Sequence, residues 1–185
     1  MEEDAPKRQL KSNKRGKEMA TGRSTKLVGQ AGEYLVAAEL SRRGLIATTF
    51  TGNVPHYDII ASDDKGRHVS VQVKTIRGGA WQFGDMSKFC DISFQGKRQI
   101  VGRAKKCPVR DLICVFVRLT NYGEDRFYIC SWIKVRDILV RSHKKYLDRV
   151  DGIRTKNPRS LHNAISEKSL SKFENQWDLI EDSLR

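Results

Sequence analysis

From His68 to Ile76 the chain reads HVSVQVKTI, with Val69, Val71 and Val73 alternating with Ser70, Gln72 and Lys74. A period of two sends the valines to one face of a strand and the polar trio to the other. Strands are also predicted over Leu45 to Thr51, Tyr57 to Ser62, Asp111 to Leu119 and Asp125 to Trp132, and the turn-rich DDKG joins the second of these to the HVSVQVKTI strand. The run DLICVFVRL at 111–119 is apolar enough to be a central strand buried on both faces. A 3.6-residue period predicts a helix over Leu27 to Gly44, with Ser24 or Thr25 as its cap and Gly44 as its stop. One apolar arc of that helix carries Leu27, Val28, Ala31, Tyr34, Leu35 and Ala38. A second carries Val36, Ala37 and Leu40, and Glu33 falls inside it, apart from the exposed Glu39, Arg42 and Arg43. A carboxylate in that position is partly buried and needs a partner.

A second helix is predicted from about Ile133 to Val150. Near the C-terminus, TKNPRSLHNAI reads as a loop, followed by a short helical region over Ser166 to Leu184 in which Leu170, Phe173, Trp177 and Ile180 recur at helical spacing. Trp177 is read there as a core anchor. The segment 77–110 resists assignment and is expected to be a partly mobile basic insertion: Gly78, Gly79, Trp81 and Phe83 precede Lys97, Arg98, Arg103, Lys105 and Lys106. Residues 1–25 are rich in Lys, Arg, Gly and Ser, nearly free of large apolar side chains, and read as a flexible basic arm. The expected organisation is that arm followed by one α/β domain over 26–185, a mixed sheet of about five strands flanked by helices.

Charge narrows the partner. The 185 residues include 35 Lys and Arg against 22 Asp and Glu, a formal net charge of +13, which implies a polyanion such as nucleic acid or an anionic membrane surface. No run approaches the roughly 20 apolar residues that span a bilayer, so a soluble intracellular protein with no membrane partner is expected. Cys90, Cys107, Cys114 and Cys130 form no CxxC pair, so neither a zinc site nor a disulfide framework is expected, and Cys114 and Cys130, in apolar strand-like runs, read as small buried hydrophobes. His68, His143 and His162 form no metal-binding pattern; His143 is read with Arg141, Lys144, Lys145 and Arg149 as one basic helix face.

With a hairpin turn centred near Asp64 and Lys65, paired residue numbers sum to about 130, which sets Asp58 opposite Val71 or Gln72. Asp58 then lies close to Gln72 and Lys74, and a helix packed over that same face would lower Glu33 towards them. Hard oxygen donors of this kind suit Mg²⁺ or Mn²⁺, and an ammonium group beside them suits phosphate chemistry. The plainer alternative is an exposed strand face with a cross-strand Asp–Lys pair worth a fraction of a kcal/mol.

Glu33 in GEYLVAAEL, Asp58 in PHYDII, and Gln72 with Lys74 in VQVKT resemble the E, D and (D/E)xK elements of the PD-(D/E)XK nuclease superfamily, in its helix–strand–strand order. The helix glutamate is similar to that of Holliday-junction resolvases, and the resemblance covers roughly Lys26 to Arg77. It implies a restriction-endonuclease-like three-layer core and a metal-dependent DNA endonuclease, with catalytic residues Glu33, Asp58, Gln72 and Lys74. It also implies a divalent ion held by Asp58, Gln72, Glu33 and the backbone carbonyl of Val73. Two departures stand out: Pro55 lies three residues before the aspartate, and Gln72 occupies the acidic position. The family includes QxK forms that remain nucleases, although a neutral amide gives the metal less charge. The alternative is a catalytically inactive nucleic-acid-binding module of the same fold; a basic protein directed to RNA or acting as a scaffold is more distant. DNA, duplex or branched, is the expected partner. It would be held by His56, Arg77, Lys97, Arg98, Lys105, Lys106, Lys144 and Lys145, and a homodimer would let two sites reach two strands.

Overall fold

The computed structural model describes residues 22–50 and 54–185, so nearly all of the expected basic arm lies outside the described residues. Among the described residues nine strands and four α-helices follow in chain order: α1 (Gly22–Arg42), β1 (Ile46–Thr49), β2 (Ile59–Ser62), β3 (His68–Ile76), β4 (Trp81–Phe83), β5 (Cys90–Gln95), β6 (Arg98–Ala104), β7 (Ile113–Arg118), β8 (Arg126–Ser131), α2 (Trp132–Arg149), β9 (Asn163–Ile165), α3 (Glu167–Leu170) and α4 (Asp178–Asp182). Five of the strands form one mixed sheet in the order β1-β2-β3-β7-β8. Only the β3–β7 pair is parallel; β1–β2, β2–β3 and β7–β8 are antiparallel. No helix among the described residues is long and apolar enough to cross a membrane.

The alternation of β3 divides the protein into layers. Val69 and Val71, with Ile59 and Ala61 of β2 and Ile113, Val115 and Val117 of β7, pack under Val36 and Leu40 of α1 and Trp177, Ile180 and Leu184 near the C-terminus. On the opposite face Cys114 and Phe116 of β7 and Tyr128 and Cys130 of β8 meet Trp81, Phe83, Phe89 and the α2 stripe of Trp132, Val135 and Leu139. Trp177 is therefore the core anchor expected of it, and Cys90, Cys114 and Cys130 are buried free thiols. Helix α1 begins earlier than its sequence pattern suggests, which places Ser24 and Thr25 inside it. It stops at Gly44, whose φ of +81° suits the left-handed C′ position; Leu45 N–H donates to Leu40 O (3.1 Å) and Gly44 N–H to Ser41 O (3.0 Å).

One glycine sets the distance between α1 and the sheet. A Cβ on Gly32 would lie 1.8 Å from Thr75 Oγ1 and 2.8 Å from Thr75 Cβ. The helix thus touches β3 backbone-close, one residue before Glu33.

The segment 77–110, expected as an irregular insertion, is built from regular pieces. Strand β4 pairs with β9, which lies in the segment expected as a loop, and β5 and β6 form a separate antiparallel ribbon. Its inner face reaches α2 through Gln99, whose side-chain nitrogen donates to the carbonyls of Pro158 (2.6 Å) and Ser160 (3.0 Å). These bonds leave Gln99 Oε1 as an acceptor for His143 Nε2 at 3.1 Å. His143 therefore corrects the sequence reading: it is 1% exposed, inside the α2–ribbon contact, while Lys144 and Lys145 stay on the surface. Position 143 continues the buried stripe of Val135 and Leu139 at helical spacing, so its side chain points inward.

Two outcomes are expected. Gly32→Ala will lower stability by about 1–3 kcal/mol through overpacking, measured by chemical denaturation, and adding Thr75→Ala will recover part of the loss. Burial, helped by the nearby Arg154 charge, pulls the His143 pKa down to about 4 from its ordinary 6.5. The unfolded chain takes up that proton first, so this contribution is full above about pH 6.5 and is lost as the pH falls through about 4. Melting temperatures measured across that window should decline less steeply for His143→Gln than for the wild type.

Candidate active site

Three elements deliver the four residues singled out by sequence. The β2–β3 register runs from Ser62↔His68 to Ile59↔Val71, so the next residue, Asp58, comes beside Gln72 just where the pairing ends. Asp58 N–H still donates to Val71 O (2.9 Å), but the following β3 donor, Val73 N–H, goes to the Asp58 carboxylate oxygen Oδ2 at 2.7 Å. The side chain replaces the strand partner that β2 no longer supplies. His56, two residues earlier, takes a left-handed φ of +77° at this departure.

Gln72 and Lys74 project to the face opposite the valines, into a cleft of about 420 Å³ whose walls include His56, Gln82, Phe83, Lys88, Lys105 and Lys106. Helix α1 does not cover this face, which corrects the sequence expectation. Val36 and Leu40 are buried against the valine face, and Gly32 sits on Thr75 of that face. Glu33 consequently approaches from behind the sheet and feels Asp58 at the edge where β2 leaves β3.

The electrostatics are those of a site that has not been neutralised. Burial and then the Asp58 charge hold the Glu33 carboxyl above its ordinary 4.5. Burial raises Asp58 above 3.8, against the opposing pull of the Val73 N–H and the Lys74 charge. Burial, with a contribution from Lys88, lowers Lys74 below 10.5, while Asp58 acts the other way. Among the described residues the side chains of Glu33, Gln72 and Lys74 make no hydrogen bond or close ion pair; Lys74 Nζ rests over the Phe83 ring, 5.0 Å from its centroid. Trp81 Nε1 donates to the Lys74 carbonyl at 2.9 Å, so β4 fixes both ends of this residue.

No group of three or more His, Cys, Asp and Glu side chains gathers among the described residues. The available donors are instead two carboxylates, the Gln72 amide oxygen and backbone carbonyls, an all-oxygen set suited to a hard divalent cation. Val73 directs its backbone groups to the β2 side, where the register has ended.

No protein-family model and no curated protein sequence matches the chain. Among solved structures it is similar to a bacterial homing endonuclease, I-Ssp6803I, at 16% identity and a TM-score of 0.47, over 86% of this chain and 94% of that one.

The basic residues named from sequence divide by place. His56, Lys105 and Lys106 line the cleft. Arg77 is exposed just beyond β3, and Lys97 at the turn of the ribbon. Arg98 is bonded to Asp151 (2.6 Å) and lies with Lys144 in a second depression, lined also by Asp148, while Lys145 is exposed on α2. Sequence reasoning missed Lys88, Gln82 and Phe83. The alternation of Trp81, Gln82 and Phe83 was a strand signal, but nothing local tells that this short strand walls the cleft beside Lys74.

Asp58→Asn is expected to stabilise the protein by about 0.5–2 kcal/mol, read as a higher denaturation midpoint at pH 7. A carboxyl whose folded pKa is raised contributes most below its unfolded value of 3.8 and loses that contribution as pH climbs through the folded value. The amide removes the buried charge and its repulsion of Glu33 while its oxygen can still accept from Val73 N–H.

Proposed function

We propose that this chain is a divalent-metal-dependent DNA endonuclease of the PD-(D/E)XK type. What supports the reading is that Asp58 comes beside Gln72 where β2 parts from β3, with Glu33 within electrostatic reach of Asp58, and that Gln72 and Lys74 open into a cleft walled by Lys88, Lys105 and Lys106.

The residues fit a hard cation, since two carboxylates that repel each other in a half-buried setting are stabilised by a positive charge between them. Asp58, Gln72 and Glu33 would hold it, with the Val73 carbonyl on the same strand edge. When bound, Mg²⁺ or Mn²⁺ supplies Lewis-acid stabilisation of phosphate charge and makes a water more acidic. The protein's own part is positional. Asp58 is locked by the Val73 N–H, so its second oxygen has a fixed direction. Lys74, held over Phe83, presents an ammonium to the phosphate, where it orients the attacking water and offsets the charge that develops on the phosphoryl oxygens. Lys88, Lys105 and Lys106 retain the DNA backbone by sequence-independent attraction.

The deciding assay incubates the full chain with plasmid and branched DNA in Mg²⁺ or Mn²⁺, with and without chelator. Wild type should cut only with metal, and Lys74→Ala and Asp58→Ala should each lose about 10²–10³-fold in rate. Gln72→Glu should reach half-maximal rate at a lower Mg²⁺ concentration, since it adds a charged ligand. Cutting that survives Lys74→Ala and Asp58→Ala undiminished would remove this site from the chemistry, and metal-independent binding without cutting would identify a binding module.

A further inference from the structure

The β5–β6 ribbon has one face committed to the protein and one committed to nothing. Ile92, Phe94, Gln99 and Val101 turn inward, whereas Asp91, Ser93, Gln95, Ile100 and Arg103 are exposed. The ribbon pairs with no other strand among the described residues. Among the described residues the side chains of Asp91, Ser93, Gln95 and Arg103 make no hydrogen bond. The inner face is nevertheless anchored firmly: Gln99 is gripped by Pro158, Ser160 and His143, and Gln99 N–H donates to Gly152 O at 2.9 Å. Such a platform presents polar side chains with little freedom of its backbone.

Its position is also informative. The inner end of the ribbon runs directly into the cleft, where Phe89, next to Cys90, and Lys105 and Lys106, after Ala104, line the wall beside Lys74. The other end carries the exposed Lys97. Cations thus stand at both ends of a face whose middle offers a hydroxyl, an amide, a carboxylate, a guanidinium and an isoleucine methyl group. That palette matches base edges: Gln with adenine, Arg with guanine, Asp with the cytosine amino group, Ser with either partner type, and Ile with the thymine methyl. The major groove admits a two-stranded ribbon. From Asp91 to Gln95 the strand covers roughly 14 Å, the rise of about four base pairs of B-DNA.

We propose that the outward face of the β5–β6 ribbon enters the DNA major groove next to the scissile phosphate and reads about four base pairs, so that cleavage is sequence-specific. The inference rests on the nuclease reading in so far as the groove must lie beside the phosphate held at Lys74. Arg98, although on the ribbon, is taken by Asp151 and has no part in it.

The test is selection from a pool of randomised DNA duplexes, by cleavage with the wild type in Mg²⁺ and by binding with Lys74→Ala. Expected is a block of preferred base pairs offset to one side of the cut. Gln95→Ala and Arg103→Ala should each relax one position of that block, lowering discrimination there by about 5- to 150-fold. Lys105→Ala should weaken binding to all sequences alike. Circular dichroism and thermal melts of the exposed-site variants confirm that the fold is kept. Metal-dependent cutting with no base preference, or a preference that Gln95→Ala and Arg103→Ala leave within twofold of the wild type, overturns the ribbon proposal and leaves the nuclease reading standing. Selective binding that the ribbon variants relax, with no cutting by the wild type, supports the ribbon as a reader and overturns the nuclease reading.

Discussion

The arrangement depends on a single hydrogen bond, from Val73 N–H to the Asp58 carboxylate. Up to Ile59↔Val71 the β2–β3 ladder is a regular antiparallel pair, and one residue later the backbone partner is gone. A donor left open in the interior of a sheet costs about 1–3 kcal/mol, so the strands can part there only if a side chain takes over. Asp58 does so with one oxygen, and the other makes no hydrogen bond among the described residues. The separation this allows is what gives Gln72, Lys74 and the Val73 carbonyl an approach from solvent, and what brings Glu33 of α1 within electrostatic reach of Asp58.

The strand β3 then serves two layers at once. Its odd positions must be small or branched and apolar, because α1 lies backbone-close over them at Gly32 and buries Val36 and Leu40 nearby. Its even positions are free to be polar because the opposite layer stands away from the middle of β3 and leaves a cleft, with β4 set as a wall and not as a lid. Slipping β3 by one residue would put the valines in the cleft and Lys74 in the core, so the energy that packs the domain also fixes the register of the site.

Much of this was legible from residue order. The bounds of β3, the partner sum of its hairpin with β2, the two-sided burial of β7 and the inward Trp177 all follow from short-range period and turn chemistry, which act within a few residues. What sequence could not supply was long-range choice. Glu33 sits on an arc of α1 that suits either face of a sheet, and the valine face won because Val36 and Leu40 needed it. His143 looked basic among Arg141, Lys144 and Lys145, and only the ribbon, supplying Gln99 from 44 residues away, shows why a neutral ring is buried there. The short strands β4 and β9 carry too few residues for a period to show, and their pairing joins segments more than seventy residues apart.

The neutral glutamine at position 72 can be understood from the same electrostatics. Glu33 and Asp58 already resist ionisation, both mainly through burial and Glu33 also through its neighbour's charge. A third carboxylate on β3, beside Asp58 and in the same half-buried setting, would raise all three and increase the cost of the folded, metal-free chain. An amide offers an oxygen of nearly the same reach without that repulsion, and it leaves Asp58 to favour the Lys74 charge. Were a divalent cation held there, as proposed, the cost would fall on its affinity, which depends on ligand charge as well as ligand number. On the proposed nuclease reading, a chain with a formal charge of +13 is drawn to DNA before any site is filled, and a phosphate beside Lys88, Lys105 and Lys106 would contribute the missing anionic oxygen itself. On that proposal the neutral Gln72 would couple occupancy of the cation site to the presence of DNA, because the negative charge that completes the site would arrive with the substrate.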